Sequence, residues 1–190
     1  MNFAILASTN GTDLPAIFEG FRSGKIQGEI VCAITNNENC GALQKLKAEG
    51  VISYFRNHTG KNREEFDIEI SEILKKHRVD YILCIGYMRI FSSNFVREWE
   101  KKIINVHPSL LPAFPGAHAI QDALDYGVKV SGATIHYIDT GVDTGPIIAQ
   151  SSVNIQDDDN ISTLKEKIQK AEQKLYVQVL SELTHLSLKQ

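Results

Sequence analysis

A chain of 190 residues with 43% hydrophobic and 23% charged residues fits one globular domain with a sizeable core. With 20 basic and 23 acidic residues and a formal charge of −3, it offers no positive field for nucleic acid, and no apolar run is long enough to span a membrane. Met1–Ser8 carries no basic leader, and Cys32, Cys40 and Cys84 are widely spaced without a CxxC, so a cytoplasmic protein with neither disulfide nor zinc is expected.

Phe3 to Ala7 is predicted to be a buried strand and Asp13 to Phe21 the helix after it, with Leu14, Ile17, Phe18 and Phe21 at helical spacing. Between them, Ser8-Thr9-Asn10-Gly11-Thr12 forms a turn whose backbone N–H groups, at a helix start, make an anion site. With one glycine, no Walker lysine and no GxGxxG, a plain capped turn is an equal reading. Ile30 to Thr35 is a second strand, Ala42 to Glu49 a helix ended by Gly50, and Val51 to Phe55 a third strand. Asn62 and Glu65 form a capping box before a long helix striped with Phe66, Ile70, Ile73 and Leu74. Arg63 falls in its first turn, where the helix dipole disfavours a cation; a solvated arginine is the plain reading.

Tyr81 to Ile85 is apolar throughout, as a central parallel strand should be, and breaks at residues 86–91. This alternation of strands and helices implies an α/β fold with a doubly wound, mostly parallel sheet in a single domain. A further strand, Ile103 to Val106, stops where His107 meets Pro108, Pro112, Pro115 and Gly116. His118 to Tyr126 is a helix closed by Gly127; Val130 to Ile138 and Ile147 to Val153 are strands joined by the loop Asp139–Pro146. The last helix, Ile161 to Leu183, is expected to open with a Thr163/Glu166 capping box and to bury Leu164, Ile168, Ala171, Leu175, Val179 and Leu183. Glu172 falls in the same arc, either at its edge reaching water or buried with a partner.

Asn105 and His107 are two apart, so a strand puts both on one face at its carboxyl end. An amide N–H beside an imidazolium gives two donors aimed at one point, as a developing oxyanion requires, and Asp143 is placed to orient that imidazole and favour its charged form. Ser109 lies between prolines with no GxSxG elbow, so no nucleophile joins the set, and one aspartate with Gly141 and Gly145 supplies too few ligands for a metal. Direct acyl transfer or hydrolysis through a tetrahedral intermediate is the chemistry that fits; a structural histidine in a proline-rich turn is the alternative.

The run N-V-H-P-S-L-L-P-A-F-P-G resembles the Asn/His motif of the folate-dependent formyltransferases. G-A-T-I-H-Y-I-D-T-G-V-D-T-G-P-I-I is similar to the loop carrying that family's Asp, and G-Y-M-R-I-F to its folate-lining segment. The resemblance spans nearly the whole chain and is closest to members acting in purine synthesis. It implies one formyltransferase domain over 1–190, with a nucleotide-binding half to about residue 100 and a folate-binding, catalytic half from about residue 80. The amine of glycinamide ribonucleotide would attack the formyl carbon of 10-formyltetrahydrofolate, without a metal. Asn105 and protonated His107 would stabilise the oxyanion, while Asp143 pairs with His107 and positions a proton-carrying water. The loop at Gly11 and Thr12 would hold the phosphate, with Asn10 and Asp13 beside them in the substrate site, and Glu172 would bind the ribose. Arg63, Met88, Arg89, Ile90, Phe91, Asp139 and Gly141 would contact the folate. Small molecules are the implied partners, with no nucleic acid or membrane, in a monomer or homodimer.

The family usually reads S-G-x-G-S/T-N-L where this chain has Ser8-Thr9-Asn10-Gly11-Thr12-Asp13-Leu14. Thr9 stands where glycine permits a tight turn, and Asp13 puts a carboxylate near a phosphate, a repulsion of about 3 kcal/mol at about 5 Å and an effective dielectric of about 20. Asp13 is therefore expected to turn away, capping its helix or facing water. Other readings are an amino-sugar nucleotide or methionyl-tRNA formyltransferase, a formyltetrahydrofolate hydrolase, or a folate binder without catalysis. A strand beginning at residue 3 and a chain ending soon after its last helix disfavour the further domains of the tRNA enzyme and the hydrolase. The Asn/His/Asp set disfavours binding alone.

Overall fold

The first strand, β1 (Asn2–Ala7), sends alternate side chains into two separate cores. Its chain neighbours in order are α1 (Leu14–Arg22), β2 (Glu29–Thr35), α2 (Gly41–Ala48), β3 (Ser53–Phe55), α3 (Arg63–Lys76) and β4 (Tyr81–Ile85). Then follow α4 (Ser93–Glu98), β5 (Ile103–His107), α5 (Ala119–Tyr126), β6 (Val130–Tyr137), β7 (Ile147–Asn154) and α6 (Ile161–Ser187). Phe3, Ile5 and Ala7 pack with Leu14 and Ile17 of α1 and with Leu164, Ile168 and Tyr176 of α6. Ala4 and Leu6 face the opposite core, with Phe66, Ile70 and Leu74 of α3 and Phe95 of α4. β4 repeats the pattern: Leu83 and Ile85 go one way, Ile82 and Cys84 the other. A strand buried on both faces is apolar throughout, which is why β1 and β4 read as unbroken hydrophobic runs.

This computed structural model describes residues 1–187; the last three residues of the expected domain lie outside the described residues. The seven-stranded sheet has the order β3-β2-β1-β4-β5-β6-β7, parallel from β3 through β5 and antiparallel where β6 joins β5 and β7 joins β6. The doubly wound, mostly parallel sheet is thus present. β1 and β4 are neighbours at the point where the strand order reverses, and their carboxyl ends open a crevice of the kind such sheets use for ligands.

The capping box of α3 forms as expected, with Glu65 N–H donating to Asn62 Oδ1 at 2.9 Å and Asn62 N–H to Glu65 Oε2 at 3.1 Å. The box expected at Thr163/Glu166 lies one turn earlier. Asn160 Oδ1 accepts from Ser162 and Thr163 N–H at 2.9 and 3.2 Å, and Thr163 Oγ1 accepts from Asn160 N–H at 2.9 Å. The first N–H groups of a helix starting at Ile161 need an acceptor just before it, and Asn160 supplies one. The short α4 escaped the sequence pattern because six residues give too little periodicity; Ser92 caps it by accepting from Phe95 N–H.

Beyond β5, the proline-rich loop is held by one buried hydroxyl. Thr134 Oγ1 donates to the Ser109 carbonyl at 2.6 Å and accepts from Leu111 N–H and Gln150 Nε2 at 3.0 Å each. Gln150 also donates to the Leu111 carbonyl at 2.8 Å. Thr134→Val keeps the shape and orphans buried partners, so we expect a loss of about 2 kcal/mol in urea unfolding, with Thr134→Ser closer to the wild type. A loss below about 0.5 kcal/mol would mean the hydroxyl does not hold the loop.

Candidate active site

The carboxyl ends of β1, β4 and β5 meet the 139–143 loop and α6 around a pocket of about 590 Å³. Its lining includes Asn105, His107 and Asp143, the Gly11-Thr12-Asp13 turn, Glu172, residues 86–91, Asp139 and Gly141. Of the residues singled out in the sequence, Asn10 and Arg63 are not brought to it. Asn10 is exposed, with its carbonyl accepting from Lys45 Nζ at 2.6 Å, and Arg63 sits on the exposed first turn of α3. The lining also contains His136 and Lys165. Lys165 had a sequence signal, preceding Glu172 by two helical turns on α6, whereas His136 pairs with Asn105 only through the β5–β6 register.

Asn105 Nδ2 lies 3.2 Å from His136 Nε2, and His136 Nδ1 lies 2.9 Å from the Tyr137 carbonyl. A carbonyl only accepts, so Nδ1 carries the hydrogen, and Nε2 is left to accept from the Asn105 amide. Burial pushes the His136 pKa down, outweighing the Tyr137 carbonyl and Asp143, which keeps the ring neutral in that role. His107, buried at 4% exposure, has acceptors at both ring nitrogens: the Phe114 carbonyl 2.8 Å from Nε2 and Asp143 Oδ2 3.3 Å from Nδ1. Asp143 Oδ2 accepts in addition from Gly116 N–H at 2.8 Å. His107 and Asp143 therefore pair as expected, whereas the His107 N–H expected to face the pocket is held by Phe114.

Phe114 and Asp143 both adopt left-handed backbone, at φ +52° and +55°. The glycines flanking Asp143 do not carry that turn. A Cβ on Gly145 would lie 1.8 Å from the Tyr137 carbonyl oxygen, and one on Gly141 2.0 Å from Thr144 Oγ1, so both are there for close approach.

At the other end of the pocket, Gly11 at φ +58° makes the turn into α1, and a Cβ there would strike Leu14 Cδ1 at 2.6 Å. Thr9 fits because Gly86 faces it; a Cβ on Gly86 would sit 2.1 Å from Thr9 Oγ1. Asp13 does not turn away. It is 3% exposed, makes no side-chain cap bond, and leaves Oδ1 buried without a partner. The reason is its backbone, already helical at φ −84° and ψ −18°, which does not aim the carboxyl back at the first N–H groups. Glu172 lies at the centre of the buried α6 face, not its edge, at 7% exposure, because Tyr176 and Leu180 widen the stripe that also holds Ile168 and Leu175. Burial pushes Glu172 up to about 8, with Asp13 adding to the rise. It pushes Asp13 up to about 6, with Lys45 opposing.

At the mouth, Met88 and Ile90 are exposed, Phe91 is buried in a stack with Tyr87 and Phe95, and the Arg89 guanidinium lies 4.5 Å above the Phe66 ring.

The sequence profile of the formyl transferase family matches residues 1–180. The chain belongs to the formyl transferase family. It is 37% identical over 186 residues to phosphoribosylglycinamide formyltransferase of Bacillus subtilis, covering 97% of this chain and 95% of that one. It is 40% identical over 185 residues to the trifunctional purine biosynthetic protein adenosine-3 of Drosophila melanogaster; that match covers 96% of this chain and spans only 14% of the relative's length. The crystal structure of phosphoribosylglycinamide formyltransferase from Bacillus halodurans superposes with a TM-score of 0.93 at 39% identity, over 96% of this chain and 95% of that one. A formyltetrahydrofolate deformylase from Pseudomonas syringae pv. tomato superposes at 0.88 with 27% identity, over 95% of this chain and 60% of that one.

For a formyl transferase, the pocket has a polar wall of Asn105, His107, His136 and Asp143 between an apolar mouth and a helix N-terminus flanked by two buried carboxyls. Those carboxyls have a measurable cost. Their pKa values are raised in the folded state, so the folded chain binds more protons than the unfolded one, and stability falls as pH rises from about 4 toward about 8. Asp13→Asn should therefore stabilise the protein at about pH 8.5 by up to about 3 kcal/mol and by about half as much at about pH 5. Equal gains at both pH values in thermal unfolding would show that Asp13 is not held against its charge.

Proposed function

We propose that this chain transfers the formyl group of 10-formyltetrahydrofolate to the primary amine of glycinamide ribonucleotide; its Bacillus subtilis relative is named a phosphoribosylglycinamide formyltransferase. The observation that carries the reading is the convergence of Asn105, His107 and Asp143 on one wall of a pocket whose far end is the α1 N-terminus beside Glu172. The folate supplies the formyl carbon. The exposed side chains of Met88 and Ile90 offer it an apolar ledge, with Arg89, Phe91, Asp139 and Gly141 around it.

Attack of the amine puts negative charge on the formyl oxygen. Asn105 has a second Nδ2 hydrogen beyond the one directed at His136, and that hydrogen meets the charge. His107 Nε2–H exchanges the neutral Phe114 carbonyl for the oxyanion, because an ionised acceptor makes the stronger hydrogen bond. Asp143 pairs with Nδ1 and positions a water that carries the amine's proton away. At the nucleotide end, the N–H groups after Gly11 and Thr12 take the phosphate, and Glu172 accepts from ribose hydroxyls. Residues to about 100 supply most of the nucleotide end and those from about 80 the folate and chemistry, although Glu172 and Lys165 reach back from α6 to the nucleotide end. We assign the protein to the cytoplasm, where its free, buried thiols stay reduced.

The test is formyl transfer to glycinamide ribonucleotide beside amino-sugar nucleotides and beside hydrolysis without an amine. Faster hydrolysis, or preference for another amine, would overturn the assignment. Asn105→Ala and His107→Ala should each lower kcat by about 10²-fold or more with the fold intact by circular dichroism. Near-native turnover in either would remove the oxyanion role. Glu172→Gln should raise KM for the nucleotide well above any change in KM for the folate; equal changes would exclude it as a ribose ligand.

A further inference from the structure

Asp13 breaks the rule for its position. A carboxyl just before a helix usually caps it or faces water, yet this one is 3% exposed, lines the pocket, and holds Oδ1 buried with no hydrogen-bond partner. Glu172, 7% exposed, lines the same pocket from α6 and is its electrostatic neighbour. Two adjacent buried carboxyls do not both ionise freely, and they titrate as a unit.

The surroundings do not neutralise the pair. Lys45 on α2 is the cation acting on Asp13, but its Nζ is directed at the Asn10 and Gly11 carbonyls at 2.6 and 3.2 Å. Lys165, exposed on α6, acts on Glu172. Tyr176, also on α6, is fully buried and donates to the Ile104 carbonyl at 3.2 Å, and the Cys84 thiol of β4 is buried with its pKa pushed up. Neither carries charge to balance a carboxylate.

We propose that Asp13 and Glu172 act as one proton-binding unit of the nucleotide site, which takes up a further proton from water when a ribose phosphate binds. This rests on the nucleotide reading above. A phosphate dianion at the α1 N-terminus adds negative charge beside the pair, and the pair answers by taking up a proton. Protonated, Asp13 donates to a phosphate oxygen; ionised, it repels it. An asparagine there would donate at any pH, so Asp13 makes this site's affinity for phosphorylated ligands follow proton availability.

The probe is ribose 5-phosphate, which has the phosphate and hydroxyls but no titrating amine, and above about pH 7 its phosphate is already largely the dianion. Isothermal titration at about pH 7.5 in two buffers of different ionisation enthalpy gives the protons taken up. The wild type should take up about half a proton or more, and Asp13→Asn less than about 0.2. Wild-type affinity should fall by about tenfold from about pH 6.5 to about pH 8.5, against less than about threefold for Asp13→Asn. Glu172→Gln, as a second variant, should also lose the uptake. Equal uptake in the wild type and Asp13→Asn, or none in the wild type, would overturn the proposal and leave the nucleotide site standing. Failure of both ribose 5-phosphate and glycinamide ribonucleotide to bind any of these proteins would overturn the nucleotide reading, and this proposal with it.

Discussion

Antiparallel pairing of β5 with β6 sets Asn105 opposite His136 and His107 opposite Thr134. Paired residues share a face of the sheet, so this one register decides several contacts together. It brings the Asn105 amide to His136 Nε2, and it puts the Thr134 hydroxyl under the proline-rich loop. The loop so held delivers the Phe114 carbonyl to His107 and Gly116 N–H to Asp143. A slip by one residue would turn Asn105 and His107 to the other core, where Ile104 now packs. The register is fixed because Ile104, Ala133 and Ile135 must be buried together.

The site gathers several unfavourable terms in one place. Phe114 and Asp143 stand in left-handed backbone, which costs on the order of 1 kcal/mol or more each, and both supply a partner to His107. Asp13 and Glu172 are carboxyls in low-dielectric surroundings. A fold selected for stability alone would place asparagine or glycine at the first two positions and apolar groups at the others. Here the strain at Phe114 and Asp143 and the buried carboxyls of Asp13 and Glu172 line or support one pocket, where ligand contacts can offset them.

Much of this was written in local sequence. Unbroken apolar runs gave β1 and β4, the Asn62/Glu65 pair gave the start of α3, and the two-residue spacing of Asn105 and His107 put both on one face. These signals act within a turn or two of chain, through sterics, helix periodicity and backbone hydrogen bonds, so the order of residues is enough to reveal them. The proline-rich stop after β5 and the Gly141–Gly145 loop were legible for the same reason, although the glycines turned out to permit close approach and the turn itself fell on Asp143.

Other features depend on residues far apart in the chain. The burial of Glu172 follows from how α6 lies on the sheet, with Tyr176 reaching the Ile104 carbonyl across 72 positions. The direction of Asp13 follows from its helical backbone just before α1, which does not aim the carboxyl at the first N–H groups. His136 emerged as the partner of Asn105 only through strand register; Asn10 fell outside the pocket because, within a turn that lines it, its side chain lies against Gly41, and Arg63 because it is exposed on the first turn of α3. The sequence by itself determined the elements, the doubly wound order and the identity of the reactive side chains, since each rests on local geometry. Only the tertiary structure decided which of those side chains lose water, which acceptor each donor meets, and which carboxyls share a pocket, because burial and charge pairing are set by neighbours that the chain order does not place side by side.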